Sequence, residues 1–67
     1  MGQSFRVFNE KSFSESWDLG ATMWIVNGNG IIVFQRKNYD NKSNLLNELL
    51  PYIKNRKTYE ITSNYMY

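Results

Sequence analysis

Hydrophobic positions concentrate in two short runs that flank a polar turn. Ala21-Thr22-Met23-Trp24-Ile25-Val26 leads into Asn27-Gly28-Asn29-Gly30, and Ile31-Ile32-Val33-Phe34-Gln35-Arg36-Lys37 leads out of it. β-Branched and aromatic residues suit a pleated surface. Gly and Asn accept the positive φ that tight hairpin turns require. The stretch therefore predicts a β-hairpin. A two-residue turn at Gly28-Asn29 and a four-residue loop over residues 27–30 share one centre. Both predict Val26 opposite Ile31, Ile25 opposite Ile32, Trp24 opposite Val33 and Met23 opposite Phe34.

Side chains alternate across a sheet. In that register Met23, Ile25, Ile32 and Phe34 share one face, and Trp24, Val26, Ile31 and Val33 share the other. An antiparallel sheet with one solvated face normally shows polar residues there. Here both faces are apolar, so each needs cover from another layer of the chain, a second copy or a partner protein.

Alternation predicts two further strands. Over residues 3–9, Phe5 and Val7 oppose Arg6 and Phe8. Over residues 58–67, Tyr59, Ile61, Ser63 and Tyr65 oppose Glu60, Thr62, Asn64 and Met66. Between the first strand and the hairpin, Ser12-Phe13-Ser14-Glu15 matches a capping box. It predicts a short helix with Phe13 and Trp17 one turn apart, ended by Gly20 in the left-handed conformation. After the hairpin, Leu45, Leu46, Leu49, Leu50 and Ile53 form one apolar helical stripe. Asp40, Asn41 or Ser43 can cap that helix. Pro51 predicts a kink, or a break with a second piece reaching Arg56.

The element order is β-α-β-β-α-β, an α+β class. The expected architecture is a small antiparallel sheet with one main helix packed on a face and strands one to three as a meander. The alternative is a ferredoxin-like split βαβ layout. Its first crossover looks short, because residues 10–20 supply eleven residues where about a dozen are usual.

Composition narrows the chemistry. A chain of 67 residues predicts a single domain over residues 1–67. A domain of this size buries only about 60% of the surface its unfolded chain exposes. With no Cys and no His, disulfides, Ser-His and Cys-His pairs and the usual metal ligand sets are out of reach. The Asn-Gly-Asn-Gly turn joins two strands and is not a phosphate-cradling Gly loop. The chain is expected to be no enzyme and to carry no cofactor. No apolar run approaches the roughly 18 residues of a membrane span, and no secretory leader is evident. A cytoplasmic location and no membrane partner are expected. The abundance of Asn, Ile, Tyr, Phe and Lys is the bias of an AT-rich genome, which points to a low-GC bacterium or its phage.

Charge adds one alternative. The formal net charge is +2. Residues 1–20 carry −1 and residues 21–67 carry +3. Arg36 and Lys37 follow the hairpin, Lys54, Arg56 and Lys57 close the second helix, and Tyr39 lies between the groups. Basic groups neutralise phosphate and aromatic rings stack on bases, so these six residues form a candidate nucleic-acid surface. Solvated cations at a helix C-terminus explain the same residues without any ligand.

The expected function is that of a small protein-binding module, of the kind a phage or bacterium encodes as an inhibitor or accessory factor. The candidate contact residues are Trp24, Val26, Ile31 and Val33, because an exposed Trp framed by aliphatic side chains makes an interface anchor. The competing expectation makes the same four residues core, covered by Phe8, Phe13 and Trp17. A homodimer that covers the second apolar face with its own copy is compatible with either function.

Overall fold

The computed structural model describes residues 4–65. Four strands form one antiparallel sheet: β1 (Ser4–Val7), β2 (Met23–Asn27), β3 (Ile31–Gln35) and β4 (Glu60–Asn64). Two helices, α1 (Glu10–Asp18) and α2 (Lys42–Lys54), complete the β-α-β-β-α-β order. Gln3, Met66 and Tyr67, which the pattern assigned to the first and last strands, lie outside the described residues.

The spatial order is β1-β4-β2-β3. β4 pairs antiparallel with both β1 and β2, and β2 pairs antiparallel with β3. β1 and β2 are thus parallel with β4 between them, and β3 and β4 are parallel with β2 between them. This is two interleaved split βαβ units, so the expected meander of strands one to three does not form. The reason is chain length between strands. β1 stops at Val7 and β2 starts at Met23, so the connection is longer than residues 10–20 alone, and α1 can carry the chain over the inserted β4.

Local chemistry sets the helix ends. The α1 N-cap is Asn9, three residues before the expected position. Its Oδ1 accepts from the Ser12 N–H at 2.7 Å, and Ser12 Oγ accepts from the Asn9 N–H at 3.0 Å. Ser12 is thus the reciprocal partner of the capping box and not its cap. Gly20, at φ +99°, ends the helix as expected. The Gly20 N–H donates to Trp17 O and the Ala21 N–H to Ser16 O, a Schellman pair. Asn41 caps α2 through the Asn44 N–H. α2 continues through Pro51 and stops at Lys54, with no second piece to Arg56.

Both helices lie on the same face of the sheet, with α2 the longer of the two. α1 buries Phe13 and Ser16, α2 buries Leu45, Leu49 and Ile53, and the sheet contributes Val7, Trp24, Val26, Ile61 and Ser63. Trp24 sits at the centre. Its ring lies 5.5 Å from Phe13 and 5.7 Å from Trp17, the latter stacked.

The hairpin forms one residue out of the expected register. The pairs are Asn27 with Ile31, Val26 with Ile32, Ile25 with Val33, Trp24 with Phe34 and Met23 with Gln35. The connection is a three-residue loop, Gly28-Asn29-Gly30, closed by Gly28 N–H to Gly30 O at 3.1 Å. Gly28 is required there, because the Tyr59 ring packs against its backbone. A Cβ on Gly28 would lie 2.8 Å from Tyr59 Cε1 and 3.1 Å from Thr58 O.

Candidate functional site on the uncovered sheet face

A one-residue slip in a hairpin moves half of its side chains to the other face. Here Trp24, Val26, Ile32 and Phe34 turn toward the helices, while Met23, Ile25, Ile31 and Val33 turn away. The four expected contact residues therefore do not share a face. Trp24 and Val26 are core at 0% exposure, whereas Ile31 and Val33 are 70% and 48% exposed. Phe13 and Trp17 cover Trp24 as the core reading expected, but Phe8 does not, at 46% exposure.

The burial of Trp24 is chemically complete. Its Nε1–H donates to Ser16 Oγ at 2.9 Å, and the Ser16 hydroxyl donates to Phe13 O at 2.8 Å. A buried indole N–H needs such a partner. Trp24 is therefore not available as a surface anchor.

The opposite face has no covering element among the described residues. Its rows follow from the pairings. The central row reads Val33, Ile25, Thr62, Arg6 across the four strands. The row nearer the start of β2 reads Gln35, Met23, Asn64, Ser4, and the row nearer the hairpin loop holds Ile31, Asn27 and Glu60. The β2–β3 half is apolar and the β4–β1 half is polar. On the polar half, Arg6 and Glu60 form an exposed ion pair at 3.4 Å. This division can seat an apolar surface on one side and orient it by polar contacts on the other. At the end of the apolar half lies a hollow of about 480 Å³, lined by Thr22, Met23, Gln35, Arg36 and Lys37.

The candidate nucleic-acid residues do not converge. Arg36 and Lys37 follow β3 in a short 3₁₀ turn, Arg36–Asn38. Lys54 ends α2, and Arg56 and Lys57 follow it. α2, thirteen residues and about 20 Å long at 1.5 Å per residue, lies between the two groups in the chain, and Arg36 and Lys37 line a different hollow from Arg56. Arg36 is occupied internally: its guanidinium lies 3.8 Å over the Trp17 ring and donates to Trp17 O. Tyr39 packs partly buried against the core and faces Glu48. Desolvation first, then the hydrogen bond and charge of Glu48, raise its phenol above the usual 10.0. A tyrosine beside a carboxylate is poorly placed to meet phosphate.

Among the described residues no group of three His, Cys, Asp or Glu could hold a metal ion, and no helix is long and apolar enough to cross a membrane. Sequence reasoning missed Met23 and Ile25, both half-buried, as companions of Ile31 and Val33 on the uncovered face. The three-residue loop that sets this register packs through Gly28 against Tyr59, a contact between distant positions. No family model, curated protein or solved structure matches this chain.

Proposed function

We propose that this chain is a small protein-binding module that acts by occupying a partner protein, as an inhibitor or accessory factor does. The observation that carries the reading is the apolar half-face of Met23, Ile25, Ile31 and Val33, backed by a sheet whose other side holds both helices. A rigid sheet presents these side chains with little ordering to lose on association. Each aliphatic side chain fully removed from water contributes roughly 1.5 to 3 kcal/mol. A few of them suffice for a specific contact after the cost of association. The complementary partner surface is apolar opposite β2–β3 and polar opposite Arg6, Glu60, Thr62 and Asn64.

The decisive variant is Ile25→Asp, at the centre of the face and outside the core. A tagged chain is used for capture from a low-GC bacterial lysate, with half of each sample treated with nuclease and washed in high salt. The reading expects one protein retained in both halves by the parent chain and lost with Ile25→Asp, with the circular dichroism spectrum unchanged. Retention by Ile25→Asp removes the face from the reading. Material lost on nuclease or salt moves the function to nucleic acid and to Lys37, Lys54, Arg56 and Lys57.

A further inference from the structure

The outer edge of β3 is unprotected. The Arg36 N–H donates to Thr22 O at 2.9 Å, and Gly28 N–H donates to Gly30 O. These fix the hydrogen-bonded rungs of the β2–β3 ladder. Rungs alternate in an antiparallel pair, so Ile32 and Phe34 direct their N–H and C=O groups toward β2. Ile31, Val33 and Gln35 direct theirs outward, where no described segment pairs with them. Natural edges are usually blunted by charge, proline, a bulge or brevity. β3 has none of these: five residues, Ile-Ile-Val-Phe-Gln, without charge, Pro or Gly. The other edge, β1, is four residues and carries Arg6, held in its ion pair with Glu60. The exposure on β3 falls on both of its faces at once, with Ile31 at 70%, Ile32 at 38% and Val33 at 48%. A partner lying on one face of the sheet would leave Ile32 in water. A strand added at the edge flanks all three, supplying side-chain neighbours on both faces.

We propose that two copies of this chain pair edge to edge through β3, antiparallel about a two-fold axis at Val33, to make one continuous sheet. Val33 then faces Val33 of the second copy, and Ile31 of each faces Gln35 of the other. Those three pairs are hydrogen-bonded rungs and contribute about six backbone hydrogen bonds. Between them, Ile32 of each copy meets Phe34 of the other on the helix side. The register is self-complementary in charge as well. Arg36 falls opposite Gly30 and Lys37 opposite Asn29, so the cations of the two copies sit at opposite ends of the seam. It is also complementary in shape. The most exposed large hydrophobic side chain among the described residues, Ile31, arrives beside Gln35 at the rim of the 480 Å³ hollow formed with Thr22, Met23, Arg36 and Lys37. The two uncovered faces then merge into one, with the apolar halves adjacent across the seam. This pairing does not depend on the partner-binding reading: it uses the strand edge and leaves Ile25 free.

The test measures mass in solution by sedimentation equilibrium, on the full chain and on Val33→Lys and Val33→Glu. The parent is expected at twice the monomer mass at tens to hundreds of micromolar. Each variant alone is expected to be monomeric, because like charges meet on the axis. Their equimolar mixture is expected to regain the doubled mass as a heterodimer. A synthetic chain with the Val33 amide N-methylated keeps every side chain, loses the outward donor and sets a methyl group in the seam; it is expected to be monomeric, which covers the case of a variant that misfolds. In a mixture of labelled and unlabelled parent, isotope-filtered NMR is expected to show an Ile32 Hα to Phe34 Hα contact between copies. A parent that stays monomeric overturns the pairing. So does a dimer that survives both charge variants, or one lacking the Ile32–Phe34 contact. Loss of lysate capture with Ile25→Asp in a chain that remains dimeric bears on the partner reading alone.

Discussion

Trp24 Nε1 and Ser16 Oγ form a 2.9 Å hydrogen bond in which both residues are fully buried. The bond joins the centre of β2 to the inner face of α1. Ser16→Ala leaves the indole N–H without a partner in the core, at a cost of about 1–3 kcal/mol. Trp24→Phe removes the donor and part of the ring. The double variant should recover part of the sum of the single losses, because neither orphan then remains. Urea unfolding followed by circular dichroism measures all three. Trp24→Ala is a different case. Its expected cost of about 3–5 kcal/mol is comparable to the whole stability that a single core of this size supplies. That variant should be largely unfolded and cannot report on binding.

The Gly28–Tyr59 contact makes a second coupled pair. Gly28→Ala places a methyl group against the Tyr59 ring and Thr58 O. The expected loss is about 1–3 kcal/mol, the usual cost of overpacking. Tyr59 also packs edge-on against Tyr52 at 4.9 Å, so Tyr59→Leu is destabilising by itself. In the Tyr59→Leu background the added cost of Gly28→Ala should shrink, because a smaller, flexible side chain can move aside. Unchanged additivity in a double-mutant cycle would show that the loop tolerates Ala by some other route.

That same contact marks where reading the sequence stopped. Element types and order follow from local signals: the period-two runs of β1, β2, β3 and β4, the Leu stripe of α2, the Phe13–Trp17 spacing and the Gly20 stop. These depend on residues within a turn or two of each other. Hairpin register depends on loop length, and the loop packs against a ring from the far end of the chain; the structure makes Ile25 and Val33 partners, where the local pattern put them on opposite faces. Strand order depends on β4 entering between β1 and β2, a pairing of residues at opposite ends of the chain. The candidate face inherited both errors. Its Ile31 and Val33 were legible as surface, but Trp24 and Val26 were assigned to them only through the slipped register.

Arg36 and Lys37 are adjacent in sequence and should behave differently. Arg36 lies over Trp17 and holds the Trp17 carbonyl, tying the end of β3 to the end of α1. Lys37 is exposed and makes no described hydrogen bond or ion pair. Arg36→Ala is expected to lose about 1–2 kcal/mol from the cation–π contact and the lost hydrogen bond. Lys37→Ala should stay within about 0.5 kcal/mol of the parent. Arg36→Lys should recover only part of the loss, since an ammonium cannot both lie flat on the ring and reach the carbonyl. Equal effects at the two positions would mean that the stack does not persist in solution.

Tyr39 makes stability sensitive to alkali. Its phenol is raised above 10.0 by desolvation and by Glu48, so the folded state retains the proton at a pH where the unfolded state releases it. By linkage, the contribution of Tyr39 is fully present below the unfolded value. It declines as pH rises through the folded value, because the unfolded state gains the ionisation that the fold suppresses. Tyr39→Phe has no proton to lose. The difference in unfolding free energy between parent and Tyr39→Phe should therefore be constant at neutral pH. Above pH 10 or so it should turn against the parent. Comparing the two chains cancels the lysines that titrate in the same range. Glu48→Gln removes the charge while keeping an acceptor, and should narrow the difference without abolishing it, since desolvation, the largest single cause, remains. Parallel curves for parent and Tyr39→Phe across the alkaline range would place the phenol in water, away from Glu48.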